Sequence, residues 1–481
     1  MPSLPILQAR DITPAVLPSL KPSEYNHFLE REDVVWGINF RSMAFVRLTP
    51  EQYRRVRGLL SGEVSAAEAA ENEEFGRLQK DLLRGQFLIP ESFDELEHLK
   101  LKNRLSRFGG HGLAIVIAPT LRCNFGCEYC YVDLNAGKMS LEDRGRLKKF
   151  FDRRLPHGSM AAIVWTGGDP SLAMDVVEDL STSFIATCEA KSCKYEASLI
   201  TNAYLLNETM RAALRRSRVT ALQVSLDGSE EFHNKTRHLP NKTPTYQTIM
   251  ENIAAACDEI TIYLRINVDR RNHTAIPDLM ADIENRGLKP RVHIYFAHVD
   301  DVNENSSGYG PNCLTVQEYA RVEERLIREA TESGFLLGGR VLTEPVSTFC
   351  GANSSNYYVV DSKANLLKCY HDLGSAECKG VGRIGDKGEA IITNPQNLVK
   401  WMGWDPFEIE ECRTCKVLPL CMGGCSHKIM NSGLEIERGC LKLRFTMDQV
   451  IETVGHRLAK SQGGPQIGGC GSCAAAAAMN V

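Results

Sequence analysis

Cys123-Asn124-Phe125-Gly126-Cys127-Glu128-Tyr129-Cys130-Tyr131 places three cysteines at C-x3-C-x2-C spacing, directly after the apolar run Leu113 to Ala118. Three thiolates satisfy three irons of a four-iron cluster and leave the fourth to a group that is not protein. An open iron can hold a small molecule and pass it an electron. The plainer alternative is a zinc site or three buried thiols. Zinc usually takes four ligands at its own spacings, and no fourth donor adjoins this triplet.

The chain of 481 residues suggests about three domains at ~150 residues each. A net charge of −4 gives no bulk attraction to nucleic acid. No run approaches the ~18 apolar residues of a membrane span. Met1-Pro2-Ser3-Leu4-Pro5 lacks a basic region followed by an apolar core, so the expectation is a cytoplasmic protein with no membrane partner. In that setting, 17 cysteines point to metal or redox chemistry rather than disulfides. Cys350, Cys369, Cys412, Cys415, Cys421, Cys425 and Cys440 form a second group, apart from the first three.

From 111 to about 335 strand and helix patterns alternate. Strands are expected at Leu113–Ala118, Ala161–Thr166, Glu196–Thr201, Ala221–Leu226, Thr261–Val268 and Val292–Ala297. Helices are expected at Leu141–Arg154, Ala173–Ala190, Glu208–Arg216, Tyr246–Ala256, Ile276–Arg286 and Val316–Ser333. Six such units imply a parallel sheet with helices outside. In α/β barrels the chemistry lies beyond the C-terminal strand ends, where the Cys123 loop falls. Other candidates sit at the same ends: Gly167-Gly168-Asp169-Pro170, Asn202, Ser225, Asp227 and, on the fifth strand, Arg265. Each alone is an ordinary turn or strand-end residue; their repetition at successive ends raises them above that. Asp300 to Asn312 reads as a long loop over the mouth.

Before the barrel, Val34 to Asn39 and Met43 to Leu48 read as a hairpin. Thr49 caps a helix with Pro50 at its first position, Glu73 to Arg84 reads as a second helix, and Gly85 to Pro90 as a strand. After the barrel, Cys350-Gly351 opens a hairpin through Tyr357 to Cys369, followed by Cys412-x2-Cys415-x5-Cys421-x3-Cys425 and a lone Cys440. One four-cysteine zinc site would leave three of these seven unexplained. The tail from Gly463 is small-residue rich, holds Cys470 and Cys473, and reads as flexible. An alternative is that it enters the active site.

The first cysteine motif, with Tyr129 before its last cysteine, resembles that of the radical S-adenosylmethionine (SAM) enzymes, and the second group resembles their seven-cysteine SPASM extension. The resemblance implies a partial (β/α)6 TIM-type barrel, an α/β fold, with a C-terminal cysteine-rich SPASM domain. It also implies SAM on the open iron of a [4Fe-4S] cluster held by Cys123, Cys127 and Cys130. Reductive cleavage would give a 5'-deoxyadenosyl radical. Tyr129, Gly167, Gly168, Asp169, Asn202, Ser225, Asp227 and Arg265 would lie around SAM, with Asp169 standing where the family usually has Glu. The family's connectivity implies two auxiliary [4Fe-4S] clusters. Cys412, Cys415, Cys421 and Cys440 would hold one. Cys350, Cys369 and Cys425 would hold the other, with Cys378 a candidate fourth ligand. Ala364 replaces the usual Gly, so a less strained hairpin is expected there.

The N-terminal segment resembles the winged-helix-like (α+β) precursor-recognition domain of peptide-modifying enzymes, where a leader peptide adds as a strand to a sheet edge; a packing domain without a ligand is the alternative. The domain expectation is therefore 1–105 recognition, 106–340 barrel, 341–455 SPASM and 456–481 tail. The function implied is maturation of a ribosomally made peptide through a thioether or carbon–carbon cross-link. The thioether leads, because an open auxiliary iron could bind a thiolate. Electrons would come from a donor such as flavodoxin or ferredoxin, and no nucleic-acid partner is expected. The rivals are a sulfatase-type maturase making formylglycine, and an iron–sulfur electron carrier without catalysis. Sulfatase maturases carry an Asp directly after the second SPASM cysteine, where this chain has Tyr370.

Overall fold

The computed structural model describes residues 19–460, apart from 65–71, 111, 135–136, 340–341, 378–379, 432 and 434. The expectation for Cys378 lies outside the described residues, as does the 456–481 tail beyond 460; residues 456–460, expected to be flexible, instead end the helix Leu443–Lys460.

Six parallel strands in chain order make the barrel wall: β6 (Gly112–Ile117), β7 (Met160–Trp165), β8 (Lys194–Thr201), β9 (Val219–Leu226), β10 (Thr261–Val268) and β11 (His293–His298). A two-residue β12 (Leu336–Leu337) ends that side of the sheet. Helices Leu141–Arg154, Met174–Ala190, Glu208–Arg216, Tyr246–Ala256, Ile276–Asn285 and Val316–Glu332 follow the strands, as the alternating pattern requires. Their starts are chemically marked. Ser140 accepts from the Asp143 N–H, and Thr315 and Glu318 form a reciprocal capping box. Val116, Ile117, Val164, Trp165, Leu222, Val224, Leu264 and Ile266 are buried in one continuous core. Near-continuous apolar strands of this kind belong to parallel sheets covered on both faces.

The sheet does not stop at β6. Residues Tyr357–Val360 (β13) pair in parallel with β6, Tyr357 opposite Ala114 and Val360 opposite Ile117. The antiparallel strands β14 (Asn365–Leu367), β15 (Gly382–Ile384) and β16 (Ala390–Ile392) then extend it to 11 strands. The cysteine-bearing hairpin is thus welded to the first barrel strand. Within it, Ala364 adopts φ 57°, so the expectation of a less strained hairpin is corrected. The turn keeps the left-handed conformation, and Ala bears the Cβ strain that Gly would avoid.

The N-terminal hairpin expected at 34–48 is part of a three-stranded antiparallel meander, β2 (Asn26–Glu30), β3 (Val35–Asn39) and β4 (Ala44–Leu48). A separate ladder joins β1 (Leu20–Pro22) to β5 (Leu88–Pro90). Thr49 caps helix Pro50–Ser61 in a full capping box with Gln52. This sheet does not own its core. Tyr25, Leu29, Trp36, Ile38 and Phe40 are buried together with Val417, Leu418, Leu420, Val450 and Ile451 from the far end of the chain. The C-terminal helix Leu443–Lys460 lies on β2 and β3, with His27 bonded to Asp448 at 2.8 Å and Arg31 paired to Glu452 at 3.0 Å. The linking helix Glu95–Phe108 is also anchored. Arg107 donates to the carbonyls of Asn353 at 2.9 Å and Met402 at 2.7 Å. Among the described residues no helix is long and apolar enough to cross a membrane.

Candidate functional site

The Cys123 loop leaves β6 and is gripped by the loop after β7. Asp169 N–H donates to the Arg122 carbonyl at 2.9 Å, and Gly168 N–H to that of Thr120 at 3.2 Å. A Cβ on Gly168 would lie 2.2 Å from the Arg122 carbonyl oxygen, and one on Gly167, at φ 120°, 2.3 Å from that of Thr120. Only glycine permits this approach. The Phe125 N–H points at Cys123 Sγ at 3.4 Å, and Asn202 at the end of β8 donates to Asn124 at 2.7 Å.

The three thiols are partly buried and close enough for Cys123 and Cys130 to act on Cys127. Burial raises the Cys123 thiol pKa to about 12, with the negative charges of Asp169 and Cys130 adding to it. Burial likewise raises Cys127 to about 12, against the pull of Arg237 and with the push of Cys130 and Cys123; Cys130 is also raised, chiefly by burial. Three mutually repelling, desolvated thiols at the mouth of a barrel gain most from a cationic centre that deprotonates them. Three thiols with no fourth metal donor grouped with them among the described residues fit a four-iron cluster with one open corner.

Asp169 and Asp227 are turned inward. Asp169 is buried and accepts from Thr201 Oγ1 at 3.0 Å, Asn202 N–H at 2.8 Å and Ser171 N–H at 2.9 Å. It ties β7 to β8, leaving the Gly167-Gly168 backbone on the cysteine side. Asp227 accepts from Tyr129 at 2.6 Å, Asn267 at 2.9 Å and Thr236 at 3.0 Å. Tyr129 in turn accepts from Arg237 at 2.7 Å and from Asn267 at 3.0 Å. This is one buried network under the cysteine loop. Ser225 and Arg265 stand opposite each other on β9 and β10, and Arg265 Nε donates to Asn267 at 2.9 Å.

Sequence reasoning missed Arg237, whose guanidinium lies 5.7 Å from the Phe125 ring centre and lowers the thiol pKa of all three cysteines. It follows a seven-residue helix, Glu230–Thr236, too short to show a periodic pattern. The 300–312 loop is also committed. Tyr309 packs edge-on to Tyr129 with ring centres 5.6 Å apart, and Asn303 donates to the carbonyls of Tyr131 and His371, both at 2.9 Å.

The second cysteine group is divided in space. The charges of Cys421, Cys440 and Cys415 bear on Cys412, whose thiol burial raises to about 12. Those four line one cavity, and Arg444 donates to Cys440 Sγ at 3.2 Å. Cys350 is raised to about 12 by burial and next by Cys425, while Cys369 is raised further by burial, Asp372, Cys350 and Cys425.

Residues 117–302 match the model of the radical SAM superfamily, a span that holds the cysteine loop and β7 to β11. The chain carries a radical SAM domain. The protein is therefore an enzyme that works with a [4Fe-4S] cluster and SAM. Curated relatives include the cysteine-type anaerobic sulfatase-maturating enzyme of Clostridium perfringens, 24% identical over 65% of this chain and 88% of that one. The GTP 3',8-cyclase of a Sulfurovum species is 26% identical over 63% of this chain and 94% of its own. The Fe-coproporphyrin III synthase of Methanosarcina barkeri is 26% identical, but only 47% of its length is matched. Among solved structures, native anSMEcpe with bound AdoMet superposes with a TM-score of 0.57 at 19% identity, over 72% of this chain and 100% of that one. That likeness is one of fold.

Proposed function

We propose that this radical SAM enzyme is a SPASM-type maturase that cross-links a ribosomally made peptide. Cys123, Cys127 and Cys130 hold the cluster that binds SAM. The Gly167-Gly168 backbone, Asn202, Ser225 and Arg265 face the cofactor, and the Tyr129–Asp227–Arg237 network holds the cysteine loop from beneath. When bound, the cluster supplies the electron that cleaves SAM to the radical that takes hydrogen from the peptide. Cys412, Cys415, Cys421 and Cys440 would hold one auxiliary cluster and Cys350, Cys369 and Cys425 another, which would supply an electron acceptor for cross-link closure.

The observation that carries this reading is the division of the seven C-terminal cysteines into four that line one cavity and three whose charges bear on one another. A single zinc site uses four thiolates and leaves the other three without a role. The outer edge of β4 has no strand partner among the described residues. An extended leader peptide could pair there. The site of action is the cytoplasm, where thiols stay reduced and a flavodoxin or ferredoxin can donate electrons.

The names of several relatives favour formylglycine formation as a second reading. Against it, the nearest carboxylate after Cys369 is Asp372, which is buried and bonded to His427 at 3.0 Å. Anaerobic incubation with SAM, reductant and short peptides encoded beside the gene tests both. A product whose fragmentation shows two residues joined supports cross-linking. A hydrazide-reactive aldehyde supports the second reading.

A further inference from the structure

After Cys350 the chain passes through a short turn, Gly351–Asn353, and enters β13. The Ala352 N–H points at Cys350 Sγ, 3.4 Å away. Three carbonyls of the same stretch point at cations. Lys368 Nζ donates to that of Ser354 at 2.7 Å and to that of Tyr357 at 2.6 Å, and Arg107 Nε donates to that of Asn353 at 2.9 Å. Lys368 precedes Cys369 in the chain. It is 2% exposed, and Arg107 is 4% exposed. The Lys368 ammonium also stands over the rings of Tyr358 and Tyr357, at 5.3 and 5.8 Å from their centres.

Two buried cations on one turn call for an anion. Among the described residues neither pairs with a carboxylate. The remaining bonds of Arg107 go to the Met402 carbonyl at 2.7 Å and to Asn103 at 3.4 Å. Burial weighs most against the Arg107 charge, and Asp405, which favours it, is paired to Arg104 at 3.7 Å. Burial also weighs most against the charge on Lys368; Cys350 favours it, and Arg154 and Arg107 oppose it. Carbonyls and aromatic faces offset part of the lost hydration, but a buried charge without a counter-charge is strongly destabilising. The anion is at hand in the thiols. Burial and Cys425 raise the Cys350 thiol pKa, while the Ala352 N–H and Lys368 lower it. A cluster held by three thiolates is an anion, and its reduction adds one more negative charge.

We propose that Lys368 and Arg107 are the buried counter-charges of the auxiliary cluster at Cys350, Cys369 and Cys425, and that they hold its reduction potential up. This rests on the reading of those three cysteines as an auxiliary-cluster site. A nearby cation favours the more negative state, which is the reduced one. The site is thereby biased to accept an electron, as cross-link closure requires. Lys368 and Arg107 are positioning residues: they act on the cluster by their charge and touch no reacting atom. The four-cysteine cavity has a cation of its own, Arg444, at 3.2 Å from Cys440 Sγ, so its potential does not depend on this pair.

The test is a redox titration, followed by electron paramagnetic resonance, of the full chain reconstituted anaerobically without SAM. The signal of interest is identified by its loss in Cys350→Ser. Lys368→Gln keeps two N–H donors for the Ser354 and Tyr357 carbonyls and removes the charge. The expected result is about twelve irons in wild type and variant. The midpoint potential of that one cluster falls by about a tenfold change in its reduction equilibrium, ~59 mV for one electron. Lys368→Arg restores it. Arg107→Gln shifts the same cluster in the same direction, and Arg107→Lys does not. A potential unmoved in both glutamine variants, or one that falls as far in Lys368→Arg as in Lys368→Gln, shows that these side chains serve the fold alone and overturns the proposal. Equal shifts of all the clusters overturn it too. About four irons in the wild type overturns the auxiliary-cluster reading itself. Should Lys368→Gln fail to take up iron, the Arg107 variants decide by the same criterion.

Discussion

Gly168→Ala puts the contact between the two mouth loops under load. The new Cβ would lie 2.2 Å from the Arg122 carbonyl oxygen and 2.4 Å from that of Leu121, where ordinary contact begins at 3.4 Å. Both neighbours are backbone, and the Arg122 carbonyl also accepts the Asp169 N–H, so no side chain can swing aside. One loop must move by about an ångström. Overpacking of this kind costs ~1–3 kcal/mol, which lowers the melting temperature by several degrees. The functional loss is larger, because the displaced segment runs directly into Cys123 and a misplacement of about 1 Å can cost ~10²-fold in rate. Gly145→Ala is the control. That glycine lies in the helix Leu141–Arg154 with nothing within 4 Å of a Cβ, and the change stabilises by ~0.5–1 kcal/mol. The assays are thermal unfolding, SAM binding by calorimetry and the rate of reductive SAM cleavage, all on anaerobic protein. Gly168→Ala protein with wild-type melting, SAM affinity and cleavage would refute the reasoning.

Other outcomes follow from the same structure. Arg237→Met removes a buried cation that favours the thiolates; the Cys123 cluster should show a more negative midpoint potential by redox titration, with fold stability down by ~1.5–3 kcal/mol for the lost charged hydrogen bond. Cys415→Ser and Cys421→Ser should weaken the same auxiliary spectroscopic signal, while Cys350→Ser affects the other; a variant that erases both signals equally would contradict the division. Trp36→Ala should cost ~3–5 kcal/mol in chemical denaturation, because Trp36 is buried beneath the C-terminal helix at Gly455, whereas Glu452→Ala, at a partly exposed ion pair, should cost ~0.2–1 kcal/mol. His298 is held well below its usual pKa, at about 3, by burial, with Lys428 and Lys442 lowering it further and Asp300 opposing them. Its folded value is below its unfolded value of ~6.5, so the unfolded chain binds the extra proton and stability falls as pH drops from ~6.5 toward about 3. His298→Gln should flatten that acid limb in a pH series of unfolding midpoints.

The barrel was legible because its information is local. Each strand is a short apolar run, each helix has its own apolar face, and caps such as Thr315 sit where the sequence puts them. The cysteines were legible because spacing encodes them. What escaped was non-local. Strand β2 has three exposed or half-buried positions beside two buried ones, and exists through β3 and the C-terminal helix more than 400 residues away. Arg237 gains its role only when Tyr129, 108 residues earlier, folds over it. The pairing of β13 with β6 leaves no trace in either segment's pattern, since both read as buried strands. His427 and Asp372 lie 55 residues apart and look like ordinary polar residues beside cysteines until the two turns close on each other. A histidine two residues after one cysteine and an aspartate three after another was the available signal, and it is weak without coordinates.

The central claim is that three thiols at the barrel mouth leave one iron free to grip and break SAM. The most direct measurement is 5'-deoxyadenosine released from SAM by anaerobically reconstituted protein under dithionite, compared with Cys127→Ser. The account requires release from the wild type and none above background from the variant. A colourless, iron-free wild type, or equal release from both proteins, would contradict it.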